Sequence, residues 1–124
     1  MKRDYKSLIV IASLMLLSNT LAADEVRIVD VKVYCKADCR FSVTLEHADT
    51  GWEHYANQWD VLTLDDEVIG SRVLYHPHVN EQPFTRSLSG VSIPESVKQV
   101  KIRASDLKHG YSKQEYVVDL PDRP

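Results

Sequence analysis

Methionine disappears from this chain after Met15, glycine is confined to Gly51, Gly70, Gly90 and Gly110, and cysteine to Cys35 and Cys39. Each scarcity closes off a class of chemistry. A thioether site for Cu(I) has no ligands in the body of the chain. The isolated glycines form no phosphate-cradling loop, and one pair of cysteines cannot supply paired Cys-x2-Cys zinc knuckles. The G-x-S-x-G elbow and the H-E-x-x-H helix are both missing. Beyond the first few residues lysine and arginine form no run, which argues against nucleic-acid binding, since that depends on neutralising phosphates. No basic amphipathic helix is present to lie on a membrane.

The chain opens with its longest apolar run. Lys2, Arg3 and Lys6 form a positive start, Leu8 to Leu17 form an apolar stretch, and Thr20-Leu21-Ala22 puts small residues at the −3 and −1 positions of a cleavage site. That is the pattern of a secretory signal peptide over residues 1–22. The run falls short of the roughly 20 residues needed to span a bilayer. No cysteine follows the cleavage site, the first being Cys35, so a lipid anchor is not expected. The expectation is a periplasmic or secreted protein, free of the membrane once cleaved, with one domain over residues 23–124. Removing the signal leaves twelve basic residues against seventeen acidic ones, a net charge of −5.

Beyond residue 23 the pattern is alternation, the mark of strands with one buried face. Val29, Val31, Val33 and Cys35 alternate with Ile28, Asp30, Lys32 and Tyr34, and Cys39, Phe41, Val43 and Leu45 alternate with Arg40, Ser42 and Thr44. Folding the chain at Ala37 sets 35 against 39, 33 against 41, 31 against 43 and 29 against 45, with every facing pair apolar. Further strands are expected over 59–64, 68–75, 84–88, 96–104 and 114–120, with Pro94 in a turn where its missing N–H does no harm. Seven short strands predict an immunoglobulin- or fibronectin III-like sandwich, with Trp59 suited to its core and a small open β-barrel as the alternative.

Cys35 and Cys39 have three readings. Export favours a disulfide, and the hairpin register places the two cysteines opposite each other, at a distance a disulfide can bridge. The rivals are a Cys-x3-Cys copper site and a redox-active pair, both of which normally sit on folds with helices.

The histidines are placed more pointedly. His47 and His54 follow the second strand, His76 and His78 the fourth, and His109 the sixth. If strands alternate in direction, these connections emerge at one end of the domain, which in this class of sandwich carries binding loops. Trp52, Tyr55, Tyr75, Tyr111, Glu53, Glu81 and Asp106 gather there too. Pro77 holds His76 extended, so the imidazoles of His76 and His78 project to one side as a chelating pair for Cu(II) or Zn(II). His47, His54 and His109 complete the shell if the loops meet. The competing reading is that these histidines simply bond loop carbonyls. Arg86, expected to point inward, needs a carboxylate partner, for which Glu81 or Asp106 serves.

The segments HADTGWEHYANQW (47–59) and LYHPHVNEQPFTRSLSGVSIP (74–94) resemble those of a family of small exported bacterial β-sandwich proteins without an assigned activity. The resemblance covers nearly all of the mature chain. It implies a periplasmic β-sandwich and carries over no catalytic residue. The reading is a non-enzymatic binding module that uses its histidine end for copper or zinc. The alternative is a metal-free interaction module in which Trp52, Tyr55 and Tyr111 dock a periplasmic protein partner.

Overall fold

A computed structural model describes residues 25–123. The signal peptide expected over residues 1–22 lies outside the described residues, and with it the expected cleavage point. The described chain is all β, with strands β1 (Arg27–Cys35), β2 (Cys39–Glu46), β3 (Ala56–Leu62), β4 (Val68–Val73), β5 (Phe84–Val91), β6 (Gln99–Asp106), β7 (Gly110–Tyr111) and β8 (Tyr116–Asp119).

The strands form two antiparallel sheets. One has the order β1-β2-β5, and the other runs β4-β3-β6 with β7 and β8 both paired to β6. Because β7 and β8 together occupy one strand's place, this is the expected seven-stranded sandwich. Its core comes from inward-facing residues of both sheets: Phe41, Val43 and Leu45 on one, Trp59, Val61, Val100, Ile102 and Ala104 on the other. Trp59 is fully buried at its centre. Gly70 lies within β4. A Cβ there would sit 3.1 Å from the Leu88 side chain, so glycine lets the two sheets close.

The first hairpin keeps most of the expected register, with Cys35 opposite Cys39, Val33 opposite Phe41 and Val31 opposite Val43. The expected Val29–Leu45 pair is wrong. A bulge lies between Ile28 and Asp30, so Ile28 faces Leu45 and Val29 is exposed. The cause is parity. Val26 and Ile28 belong to the core, as do Val31, Val33 and Cys35, and one extra residue lets both sets point inward. Cys35 and Cys39 are joined in a disulfide, with their Cα atoms 4.0 Å apart.

Several other strand limits differ from expectation, β3 and β6 at both ends. β3 begins at Ala56 and β5 continues to Val91, β4 stops at Val73, and β6 runs on to Asp106. The last expected strand is split. Residues 112–115 stand outside the strands; Ser112 N still bonds Ala104 O of β6 (2.9 Å), while the side chains of Ser112 and Gln114 turn to the first strand and the residue before it. Ser112 Oγ donates to the Val26 carbonyl (2.7 Å). The Gln114 amide accepts from Ile28 N (2.7 Å) and donates to Ile28 O (3.0 Å). A side-chain amide thus stands in for a strand partner and ties the two sheets along one edge.

Candidate metal centre

The three even-numbered connections meet at one end, joined by polar contacts between loops. Leu107 N donates to Tyr55 O (3.0 Å), and His78 N donates to Asp49 Oδ2 (2.8 Å). Gln82 accepts from His47 N (2.9 Å) and donates to His78 O (2.9 Å).

Asp106, the last residue of β6, stands at the middle of the histidines. Its side chain is 1% exposed. The amides of Lys108 and His109 donate to its Oδ1 at 2.8 and 2.6 Å, an Asx-type turn that fixes the carboxylate. His47 Nε2 lies 3.6 Å from Oδ2, and His54 Nε2 lies 3.7 Å from Oδ1. His109 Nδ1 is 3.2 and 3.3 Å from the two oxygens. The His47 and His54 rings meet edge-on at 4.8 Å, and those of His54 and His109 at 5.0 Å. Nε2 of His54 is buried and makes no hydrogen bond among the described residues.

Local structure explains each placement. Thr50 N donates to His54 O (3.0 Å) and His54 N to Gly51 O (3.1 Å), a tight turn that presents His54 inward and leaves Trp52 at its tip. His47 is aimed by Asp49, whose Oδ1 bonds His47 Nδ1 at 2.6 Å. That carboxylate is fully buried. It also accepts from Ala56 N (3.0 Å) and, through Oδ2, from His78 N. A carboxylate on one imidazole nitrogen, directing the other at a common point, is the usual outer support of a metal-ligating histidine.

The spacing suits an ion. Gaps of 3.6 and 3.7 Å are too long for hydrogen bonds. Two ligands each about 2.0–2.1 Å from a tetrahedral zinc lie about 3.3–3.4 Å apart. Small movements of His47 Nε2, His54 Nε2 and an Asp106 oxygen, which all lie within 4.8 Å of one another, place them on one ion. Two buried carboxylates, Asp49 and Asp106, also call for positive charge. Arg86 is turned to His78 and Glu81, and Arg103 to Asp60.

The other sequence-selected residues fall elsewhere. The rings of His76 and His78 are 4.7 Å apart, so the Pro77 geometry does bring them together. His78, however, is stacked on Phe84 at 4.0 Å, and its Nε2 accepts from Arg86 Nη2 at 2.8 Å. Burial, then the Arg86 guanidinium, lowers its pKa from the ordinary 6.5 and favours the neutral ring this bond needs. Its available lone pair is thus already engaged. His76 is exposed, with Nδ1 3.3 Å from the Pro77 carbonyl. Arg86 is half-buried and takes Glu81 (3.5 Å), one of its two expected partners, as its carboxylate. Trp52 is exposed and meets Tyr55 edge-on at 6.0 Å. Tyr111 belongs to the outer face of the four-strand-wide sheet. Its hydroxyl donates to Asp60 Oδ2 (2.7 Å), and its ring lies under Arg103 at 3.9 Å.

Sequence reasoning missed Asp49, although its place two residues after His47 was a usable signal. Asp106 was placed at the histidine end and offered as a partner for Arg86, but not singled out as the residue on which the histidines converge.

A β-sandwich with a His–Asp centre between its loops is the class that fold and site define. A protein of Halomicrobium mukohataei named "Putative lipoprotein" is 41% identical over 97 residues, covering 77% of this chain and 47% of that protein. The chain spans about half the length of the curated relative it matches. No family model matches the chain, and no solved structure matches it.

Proposed function

We propose that the domain is an exported, non-enzymatic module that binds Zn(II) or Cu(II) through His47 Nε2, His54 Nε2 and Asp106. The observation that carries this reading is the convergence of those atoms on one point, with Asp49 already committing His47 Nδ1 away from it. Imidazole with carboxylate suits either ion. The pattern of residues 1–22 and the relative's lipoprotein name support export, with the periplasm as the finer assignment. Among the described residues the cysteines are tied in a disulfide, and the centre offers ligands rather than a nucleophile beside a base.

The test is a chelator-competition titration with each ion. His47→Ala and His54→Ala should each lose at least about tenfold in affinity, since they remove ligands outright where outer supports alone account for 10–100-fold. The His76→Ala/His78→Ala double variant should keep its affinity. Wild-type binding no tighter than that of a histidine-bearing control peptide sinks the metal reading. Loss confined to the His76/His78 variant moves the site to that pair. A second reading, docking of a periplasmic protein, draws on Trp52, which is 67% exposed at the tip of the His54 turn beside Tyr55.

A further inference from the structure

Exposure rises steeply across the centre. The side chains of His47 and Asp106 are 1% exposed, that of His54 17% and that of His109 39%. The centre therefore opens to solvent on one side, and His109 stands on that side.

The inner members are each held by something an ion would leave alone. Asp49 holds His47, the Thr50–His54 turn holds His54, and the amides of Lys108 and His109 hold Asp106. His109 differs. Its backbone is anchored by its own amide bond to Asp106 and by Gly110, whose φ of 78° only glycine adopts readily. Its ring makes polar contact, among the described residues, only with the two Asp106 oxygens. An ion seated on Asp106 takes the lone pairs that hold that ring and frees it at the mouth of the site, 5.0 Å from the His54 ring.

We infer that this is an exchange site rather than a structural one, with His109 as the outer ligand that closes on the ion and gives way when the ion passes to another chelator. The inference rests on the metal-binding reading above. Structural zinc sites are sealed by four fixed protein ligands, whereas sites that do chemistry or transfer keep a position open. Two buried ligands, the half-buried His54 and one displaceable imidazole hold an ion and still admit an incoming donor from the solvent side.

Stopped-flow transfer of Zn(II) from the loaded protein to a chromophoric chelator tests this, on wild type, His109→Ala and His109→Gln. Co(II) absorption spectra report the ligand set, and melting of the metal-free proteins checks folding. Both variants should still bind one ion, about 10–100-fold more weakly. They should release it faster, at a rate that climbs with chelator concentration, while wild-type release levels off because His109 must first swing away. The Co(II) spectrum should change in both variants. Release and spectra indistinguishable from wild type overturn the role of His109 and leave the metal reading intact. Loss of binding in His109→Ala as complete as in His47→Ala makes the site a closed four-ligand one and overturns exchange. Wild type that binds neither Zn(II) nor Co(II) overturns both readings, and is recognised before any variant is compared.

Discussion

Replacing Asp49 by alanine tests the architecture of the loop end independently of any metal. The carboxylate is fully buried and serves three donors from three chain positions: His47 Nδ1, Ala56 N and His78 N. Alanine leaves all three unserved. A buried donor left without a partner costs about 1–3 kcal/mol, so the two amides alone account for about 2–6 kcal/mol. His47 turns partly free and relieves some of its share. The expected loss is about 3–5 kcal/mol, a large part of the roughly 5–15 kcal/mol that holds a domain of this kind together. Asp49→Asn keeps one acceptor oxygen but sets an NH2 group against a donor, so it should recover only part of the loss. Urea denaturation of the disulfide-intact, metal-free domain measures both. The affinity of either variant for Zn(II) should also fall by about 10–100-fold, because the support of His47 is gone. A stability loss below about 1 kcal/mol for Asp49→Ala, the scale of an ordinary surface change, refutes the claim that this side chain joins the loops.

Two further outcomes are expected. Trp59→Ala should cost about 3–5 kcal/mol in the same denaturation series, because the indole fills the centre of the core, whereas Trp52→Ala should cost well under about 1 kcal/mol; equal costs contradict the burial of Trp59. Asp60 gives the pH test. Burial opposes its ionisation, but hydrogen bonds from Gln58, Ser71, Tyr111 and Arg103 outweigh this and hold its pKa below the ordinary 3.8. A depressed folded value contributes stability that is complete above the ordinary value and is lost as pH falls through the folded one. The stability advantage of wild type over Asp60→Asn should therefore shrink on acidification below about pH 4, near the ordinary carboxyl value. An advantage that stays constant from neutral pH to pH 2 contradicts the four-donor arrangement.

Much of this protein could be read from local pattern. Alternation in residues 31–45 is a property of neighbours along the chain, and it predicted the first hairpin and its Cys35–Cys39 pairing, because a period of two has one way to bury its apolar face; the succession of seven short strands predicted the sandwich class. The gathering of His47, His54 and His109 at one end was equally legible, since strands that alternate in direction send every second connection the same way. Tertiary contacts decided the rest. Val29 looked inward by local parity, yet the core needed Val26 and Ile28 as well, and only a bulge satisfies both sets. The last strand reads as continuous, but the side chains of Ser112 and Gln114 bond the backbone of Val26 and Ile28 on the other sheet's edge, and the strand is split there. The His76-Pro77-His78 motif advertises a chelating pair, and only the packed structure shows Arg86 on His78 Nε2 and Phe84 against its ring. Asp49 and Asp106 gain their meaning the same way. A carboxylate in a loop is ordinary until folding buries it among donors from distant segments: Asp49 takes Ala56 N and His78 N as well as His47 Nδ1, and Asp106 stands within 4 Å of three histidines.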